Sequence, residues 1–312
     1  MPLLSVIIPT YRNGAQTVQT LDALCACRLP AGVGMEVVVV DDASGDGSAS
    51  LLANYRPSGD HASVRLLVNA CNAGRAATRN VGARAATGEY LLFLDADCVP
   101  ADADFLLAHC AAMQASDVSM GVVQGNTRDF WHDYYHAASR RREVRTAKHP
   151  ELLLTSANVM VRRDVFLAAG GFDERYRGYG FEDRALAMVL LRHGARLAVC
   201  GEARARHEDR LTLEMVCAKL HEAAGENGGL FGSEFPVAYR VLGYASIDAR
   251  LHAWLRWPSR LAEPLRRALI AWLSPRLETS TLPLWARLRT VRWLCAASYL
   301  RGSSLAAARK SA

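Results

Sequence analysis

Four consecutive valines, Val37–Val40, stand between Glu36 and two aspartates in the stretch EVVVVDDAS. A β-branched run that is apolar at every position is typical of a strand buried on both faces of a parallel sheet. A sheet of that kind needs helices on each side to cover it. The run therefore predicts an α/β fold with a parallel sheet.

Other segments of the N-terminal half fit the same scheme. Strands are predicted at SVIIPTY (5–11), SVRLLVN (63–69) and YLLFLDAD (90–97), with helical stretches at Ala15–Cys27 and Arg75–Ala86. Strands that alternate with helices at these spacings suit βαβ units. We expect a mostly parallel sheet with helices on both faces.

Three of these strands end in polar residues, at 10–13 (TYRN), 41–44 (DDAS) and 95–97 (DAD). One acid at a strand end is usually a turn or a helix cap. In open parallel sheets, however, ligands bind beyond the carboxyl ends of the strands. Three polar ends at one edge predict a ligand-binding crevice.

The acids indicate which ligand would suit that crevice. Two carboxylates as close as Asp95 and Asp97 disfavour each other's ionised form unless a cation compensates them. A divalent ion held by carboxylates keeps positions open for substrate phosphates. Neither GxGxxG after the first strand nor GxxxxGK[ST] occurs, which excludes the usual dinucleotide and P-loop sites. A metal-chelated diphosphate fits better.

The charge is unevenly distributed along the 312 residues. Residues 240–312 hold 13 lysines and arginines against three acidic residues, whereas the remainder holds 24 against 28. This asymmetry predicts two functional parts, which we place at residues 1–225 and 226–312.

Cysteine usage and the N-terminus indicate the compartment. The eight cysteines are scattered without a CxxC, so we expect reduced thiols in a cytoplasmic protein and no zinc site. MPLLSVIIPTYRN has no basic lead and reads as a first strand, not a signal peptide. No uncharged apolar run approaches 18 residues, so no transmembrane helix is predicted.

Several blocks, in order, resemble family 2 glycosyltransferases with the GT-A fold, a Rossmann-like nucleotide-sugar-binding sheet. They are SVIIPTYRN, VVVVDDASGDGS, NAGRAATRNVGARAATGEYLLFLDADCVP and GGFDERYRGYGFEDRALAMVL, and the likeness runs from about residue 4 to about residue 210. A helical C-terminal extension would follow.

The resemblance implies roles for the strand ends. Pro9, Tyr11 and Asp42 match positions that hold the nucleotide base and ribose, and Arg75 lies where the diphosphate is contacted. Asp95 matches the first acid of a DxD motif, which faces the ribose or sugar. Asp97 matches the second, which binds Mn²⁺ or Mg²⁺.

The later blocks resemble the galactosyltransferase-like half of such a site, with GFDE at 171–174 and FED at 181–183. The resemblance makes Asp183 the catalytic base and brings Glu182 against donor sugar or acceptor. His207 either completes the metal shell or is a partly exposed histidine in a charged loop. His109 and His193 are expected to be structural.

The resulting functional hypothesis is an inverting, metal-dependent glycosyltransferase. It would move a sugar from a nucleotide diphosphate, favoured as UDP by resemblance, to a glycan or glycolipid acceptor in polysaccharide or glycoconjugate biosynthesis. One alternative is a non-catalytic nucleotide-sugar-binding protein. The other is a sugar-phosphate nucleotidyltransferase, which would require a glycine-rich basic loop just after the first strand, where this sequence has TYRNGAQ.

Two further segments carry open alternatives. Residues 130–150 form either an acceptor-binding loop with Trp131, Tyr134 and Tyr135 as sugar platforms or an ordinary amphipathic helix. We expect no nucleic-acid partner for it, because no nucleic-acid motif accompanies it.

The basic tail combines five tryptophans with leucines at 261, 265, 269 and 273. This pattern suits a helix on an anionic membrane, which would place the protein at the inner face of the cytoplasmic membrane. The alternative is a helical cap or the interface of an oligomer.

Overall fold

The computed structural model describes residues 3–57, 62–125, 129–208 and 211–309. Within these residues one sheet contains all eight strands, and thirteen α-helices are present. The strands are β1 (Leu3–Thr10), β2 (Gly34–Asp41), β3 (Ala62–Val68), β4 (Tyr90–Leu94), β5 (Cys98–Pro100), β6 (Val118–Gly125), β7 (Asn158–Arg162) and β8 (Leu197–His207). The helices are α1 (Gly14–Cys25), α2 (Ser48–Ala53), α3 (Arg75–Ala85), α4 (Phe105–Ala112), α5 (Phe130–Arg145), α6 (Arg163–Ala168), α7 (Glu182–Arg192), α8 (Leu213–Ala223), α9 (Glu226–Glu234), α10 (Pro236–Leu242), α11 (Arg256–Leu261), α12 (Glu263–Leu273) and α13 (Leu284–Arg309).

The sheet has the strand order β3-β2-β1-β4-β7-β6-β8-β5. The first four strands in this order pair in parallel, as do β6 and β8, while β7 and β5 run antiparallel to their neighbours. The valine run is β2, between β1 and β3. The predicted α/β class with a mostly parallel sheet is confirmed.

Helices cover both faces of this sheet, as the uninterrupted apolar runs require. On one face Val6 and Leu92 pack with residues of α1, α2 and α4. On the other face Ile7 and Phe93 pack with residues of α3, α6 and α7. Neighbouring strand residues thus belong to opposite cores, because side chains alternate along a strand.

The chain forms two compact units, each assembled from several segments. The first comprises Met1–Asn126, Leu153–Arg177 and Asp183–Asp209, and it contains the whole sheet. The second comprises Thr127–Leu152, Gly178–Glu182 and Arg210–Ala312, and its described regular elements are helices. The division at residue 225 drawn from the sequence stays a prediction.

The second unit has its own apolar core, and α5 belongs to it. Asp129 caps this helix by accepting from the backbone N–H groups of Trp131 and His132. Trp131 is buried in the core, and the Tyr134 hydroxyl lies 3.7 Å from the Cys295 sulfur. The acceptor-loop prediction is therefore wrong for Trp131 and Tyr134, because these rings pack inward from a helix; Tyr135, on the same helix, is half-buried.

The structural histidine prediction holds for His109. It is fully buried in α4, with its ring nitrogens 2.9 Å from the Ser119 hydroxyl and 2.9 Å from the Asn158 side-chain oxygen. Burial lowers the pKa of His109 to about 4, so the ring is neutral at physiological pH. His193, by contrast, is exposed.

None of the helices in the described residues combines the length and apolar character that a membrane crossing requires.

Candidate active site

The carboxyl ends of β2, β1 and β4 lie side by side, because these strands are neighbours and parallel. The register pairs Thr10 with Asp41 and Ile7 with Phe93, so the polar residues that follow each strand emerge at a similar height. The sequence prediction that the three polar ends meet at one edge of the sheet is confirmed.

The loops after β1 and β2 hold an uncommon backbone conformation. Arg12 and Ala43 have φ angles of 53° and 59°, a region that side chains other than glycine rarely adopt. A contact between the loops stabilises it, since the Arg12 backbone N–H donates to the Ser44 hydroxyl at 2.7 Å. Ser44 in turn donates to the buried carboxylate of Asp41. Held backbone strain of this kind is concentrated at functional sites.

Asp42 organises the approach to α3. Its carboxylate accepts from the Asn69 side chain at 2.8 Å and from the backbone N–H groups of Ala73 and Gly74 at 2.8 and 3.0 Å. Gly74 has a φ of 86°, and a Cβ there would lie 2.7 Å from the Arg177 carbonyl oxygen. Only glycine therefore lets this N–H reach Asp42.

Asp95 is held by a partner that sequence reasoning missed. Arg79 is 1% exposed and donates to the Asp95 carboxylate at 2.7 Å. Burial raises the pKa of Asp95, but the guanidinium groups of Arg79 and Arg75 outweigh burial, so the pKa lies below its usual value. The i, i+4 spacing of Arg75 and Arg79, which puts both arginines on one face of α3, was the signal that could have found Arg79.

Asp97 and His207 come together where β5 pairs with β8. The pairing of β5 with β8 sets Cys98 opposite His207, the last residue of β8. The His207 Nε2 atom lies 3.6 Å from an Asp97 carboxylate oxygen, and the Cys98 sulfur lies 3.6 Å from the other. One potential ligand atom from each of these residues lies within 4.8 Å of the others. Cys98 was not among the predicted ligands.

These donors fit a divalent cation. Carboxylate suits Mg²⁺ and Mn²⁺, and imidazole and thiolate extend the range to softer ions. His207 is the last residue of β8 and its side chain is 13% exposed, so it does not belong to a charged loop. Its position beside Asp97 favours the ligand alternative left open by the sequence.

Asp183 and Glu182 begin α7. Both residues are buried, at 8% and 5% exposure. The Asp183 carboxylate accepts the backbone N–H of Arg184 at 2.8 Å and forms an ion pair with the Arg184 guanidinium. Phe181, immediately before this helix, has a φ of 73°. The start of α7 is thus a third place where the backbone takes an uncommon conformation next to predicted site residues.

The GFDE segment is anchored to α3 and the sheet. The Asn80 side chain accepts from the Phe172 N–H at 2.9 Å and donates to its carbonyl at 2.8 Å, while the Phe172 ring packs against Phe93. Asp173 pairs with Arg175 at the surface. This block positions the chain between α6 and α7.

Of the other predicted contacts, Tyr11 and Arg75 are exposed and Pro9 is half-buried. Tyr11 is 44% exposed, with the Arg12 guanidinium 5.0 Å from its ring centroid. Pro9 is half-buried in β1, and Arg75 is exposed at the first turn of α3.

A mostly parallel sheet under two helical layers, with aspartates gathered at its carboxyl edge, is the architecture of GT-A glycosyltransferases. The family model for glycosyl transferase family 2 matches residues 5–168. The chain belongs to this family, as the sequence resemblance indicated. The matching model is not one for sugar-phosphate nucleotidyltransferases, the second alternative left by the sequence.

Individual relatives agree with this assignment. The chain is 30% identical over 234 residues to validoxylamine A glucosyltransferase from Streptomyces hygroscopicus subsp. limoneus, covering 65% of this chain and 51% of that protein. It spans about half the length of the first curated relatives it matches.

Solved structures share the fold. Mannosyltransferase PcManGT from Pyrobaculum calidifontis, in complex with GDP-Man and Mn²⁺, superposes with a TM-score of 0.64 at 21% identity over 100% of this chain and 88% of that chain. Residues 1–349 of TarS from S. aureus, in complex with UDP-GlcNAc, give 0.53 at 18% identity over 99% of this chain and 92% of that chain.

Proposed function

We propose that this chain is an inverting, metal-dependent glycosyltransferase that moves a sugar from a UDP-sugar to a hydroxyl group of a glycan or glycolipid. The observation that carries the proposal is the meeting of Asp97 and His207, 110 residues apart in sequence, with their ligand atoms 3.6 Å apart. Asp95, two residues from Asp97, continues the same acidic edge. A diphosphate bridged by a divalent ion has the charge and the ligand-binding capacity to match these groups.

The hydrogen bonds of Asp42 support a uracil base. A carboxylate offers about four acceptor positions, and three are used by Asn69, Ala73 and Gly74. One further donor can be accepted, which suits the single ring N–H of uracil better than the two adjacent donors of guanine. The exposed Tyr11 ring offers a flat surface on which a base can stack.

The diphosphate would be held by Asp97 and His207 through Mn²⁺ or Mg²⁺, and by Arg75 at the positive end of α3. When bound, the ion offsets the negative charge that develops on the leaving diphosphate. Asp95, fixed by Arg79, would accept hydrogen bonds from the ribose or the donor sugar. Arg79 thereby acts as a positioning residue.

Asp183 would take the proton from the acceptor hydroxyl, which is a weak nucleophile at neutral pH. Its backbone contact with Arg184 fixes the direction of the carboxylate. Glu182 would contact the donor sugar or the acceptor. One displacement by the acceptor, with no covalent sugar–enzyme intermediate, inverts the anomeric configuration.

The acceptor and pathway are proposed at the level of class: a glycan or glycolipid, in polysaccharide or glycoconjugate biosynthesis. The relatives vary in what they glycosylate, from a validoxylamine A glucosyltransferase to an undecaprenyl-phosphate 4-deoxy-4-formamido-L-arabinose transferase from Aeromonas hydrophila. A hydroxyl-bearing acceptor fits the role given to Asp183.

Release of nucleoside diphosphate from a panel of UDP-, GDP- and dTDP-sugars, with and without Mn²⁺ or Mg²⁺, tests the proposal. UDP-sugar hydrolysis should need the metal, and Asp97→Ala should abolish metal-dependent UDP binding in calorimetry while the circular dichroism spectrum is unchanged. Asp104→Ala, an exposed acid after β5, is the matched control and should bind like the parent. Tight UDP binding by the parent in excess chelator would falsify the metal role of this site.

A further inference from the structure

The tryptophans of this chain are distributed unlike those of a protein interior. Trp131 is buried in the second compact unit, which we call the helical unit. The other five of the six tryptophans are 57–72% exposed. The exposed ones are Trp254, Trp257, Trp272, Trp285 and Trp293. Tryptophan is highly buried on average, so five exposed rings within 40 residues indicate a surface built to be covered.

Helix α12 carries two apolar stripes. Ile270 and Leu273 are buried in the core of the helical unit. Leu265, Leu269 and Trp272 are spaced i, i+4, i+7, which puts them on one face of the helix, and they are 41–62% exposed. One apolar stripe is sufficient to attach a helix to its own unit. The second stripe is therefore available to a partner.

The first half of α13 repeats this arrangement with charge added. Val291 and Leu294 are buried. Trp285, Arg289, Arg292 and Trp293 are spaced i, i+4, i+7, i+8 and are all exposed. The outward face of this helix thus alternates large aromatic rings with guanidinium groups.

The charge of residues 254–293 is strongly positive, with eight arginines against two glutamates. One of these acids, Glu263, is engaged by Arg266 and Arg267 at 2.8 Å. Arg276 extends the mixed surface, since its guanidinium lies 5.0 Å from the Trp272 ring centroid. Two copies of the chain meeting through this face would bring like charges together, which disfavours a dimer. An anionic partner is complementary.

We propose that the exposed tryptophans, leucines and arginines of residues 254–293, which we call the Trp–Arg face, dock on the surface of an anionic lipid bilayer. Arginines draw the face to the negative headgroups, and each contributes about fivefold to the partition coefficient. Tryptophans settle at the headgroup level, and the leucines reach the start of the acyl region. The chain would lie on the cytoplasmic leaflet, which is rich in anionic lipid.

This inference is independent of the proposed transfer reaction, because the face could bind lipid whether or not a sugar is moved. The tryptophans themselves supply the probe. On mixing with vesicles of phosphatidylcholine and phosphatidylglycerol, the emission of the full chain should shift to shorter wavelength and be quenched by lipids brominated near the headgroup. Vesicles of phosphatidylcholine alone should leave the emission nearly unchanged.

Salt and substitutions measure how much the arginines contribute to vesicle binding. Partitioning should fall steeply between 0.1 M and 1 M salt, as the Debye length drops from about 10 Å to about 3 Å. Arg289→Gln with Arg292→Gln should lower the partition coefficient roughly 30-fold. The matched control, Val144→Ser with Val237→Ser, removes two exposed apolar side chains of the same unit outside the face and should bind like the parent.

Two outcomes would overturn the proposal. One is the absence of any emission change with anionic vesicles at low salt while UDP binding in lipid-free buffer is intact, which would leave the transferase proposal standing. The other is a dimer in sedimentation that becomes monomeric in Trp285→Ser with Trp293→Ser, with no vesicle binding by the parent. That result would assign the face to a second copy of the chain.

Discussion

The two compact units distribute charge and apolar surface in opposite ways. In the sheet-containing unit, carboxylates such as Asp41, Asp42 and Asp95 are buried or partly buried, and each is held by specific donors. In the helical unit, tryptophans and arginines face outward together. In a site built from mutually dependent buried groups, one substitution should cause a large loss of activity or stability. On a docking face built from many exposed groups, each substitution should cause only a small loss of binding affinity.

The largest effect in the sheet-containing unit is expected from a substitution of the proposed base. Asp183→Asn keeps the shape of the side chain and removes its basicity. We expect kcat to fall roughly 10²–10⁴-fold with little change in donor affinity, because only proton removal is lost. Steady-state kinetics with UDP titration by calorimetry would separate the two effects.

Asp164→Asn is the control for this change, since Asp164 is a surface acid at the start of α6 that pairs with Arg162. Its rate should match the parent. If Asp183→Asn also transfers at a near-parental rate, the base lies elsewhere and Glu182 becomes the next residue to replace.

The next largest effect is expected at Arg79, which compensates Asp95 inside the sheet-containing unit. Arg79→Gln leaves the Asp95 carboxylate without its guanidinium partner, and we expect about 3 kcal/mol of lost unfolding free energy. Arg84→Gln, on the same helix, removes an exposed pair with Glu174 at 3.4 Å and should cost at most about 0.5 kcal/mol. Urea denaturation measures both.

The pH dependence checks the cause of this effect. The folded-state pKa of Asp95 lies below its ordinary value, so its contribution to stability is present above a pH of about 4 and is lost as the pH falls through the folded-state pKa. Arg79→Gln should weaken this acid-side loss. An unchanged pH profile in the variant would show that Arg75 and His207 alone compensate Asp95.

Sequence patterns predicted the sheet-containing unit well because its signals are local. A β-branched run that ends in acids predicts both a buried strand and its polar end, as in Val37–Val40 followed by Asp41 and Asp42. The antiparallel insertion of β7 between β4 and β6 was not foreseen, because strand direction depends on pairings between distant segments. Cys98 was missed for the same reason, since His207 comes from a distant strand. Arg79 did have a local signal, its four-residue spacing from Arg75, which was not used.

The helical unit was harder to predict because periodicity has the same form on a buried and an exposed face. Trp131 and Tyr134 were interpreted as an exposed sugar platform but pack inward, whereas Trp272 and Trp285 of the basic tail are exposed. Leucines at four-residue spacing likewise divided, with Leu273 buried and Leu265 exposed. Which face turns inward is decided by the partner helices, and a single segment does not contain that information.

The smallest expected effect lies at Ala43, where the loop after β2 adopts a φ of 59°. Glycine reaches this region without the Cβ penalty of about 1 kcal/mol or more, but it also loses more chain entropy on folding. The two terms nearly offset, so Ala43→Gly should change the unfolding free energy by no more than about 1 kcal/mol and in the stabilising direction. Ala23→Gly, inside α1, has no such strain to relieve and should destabilise by about 0.5–1 kcal/mol. Opposite signs for the two substitutions in urea denaturation would show that the loop beside Asp42 is strained. If Ala43→Gly destabilises as much as Ala23→Gly, the loop conformation costs the protein nothing, and the loop beside Asp42 is not strained.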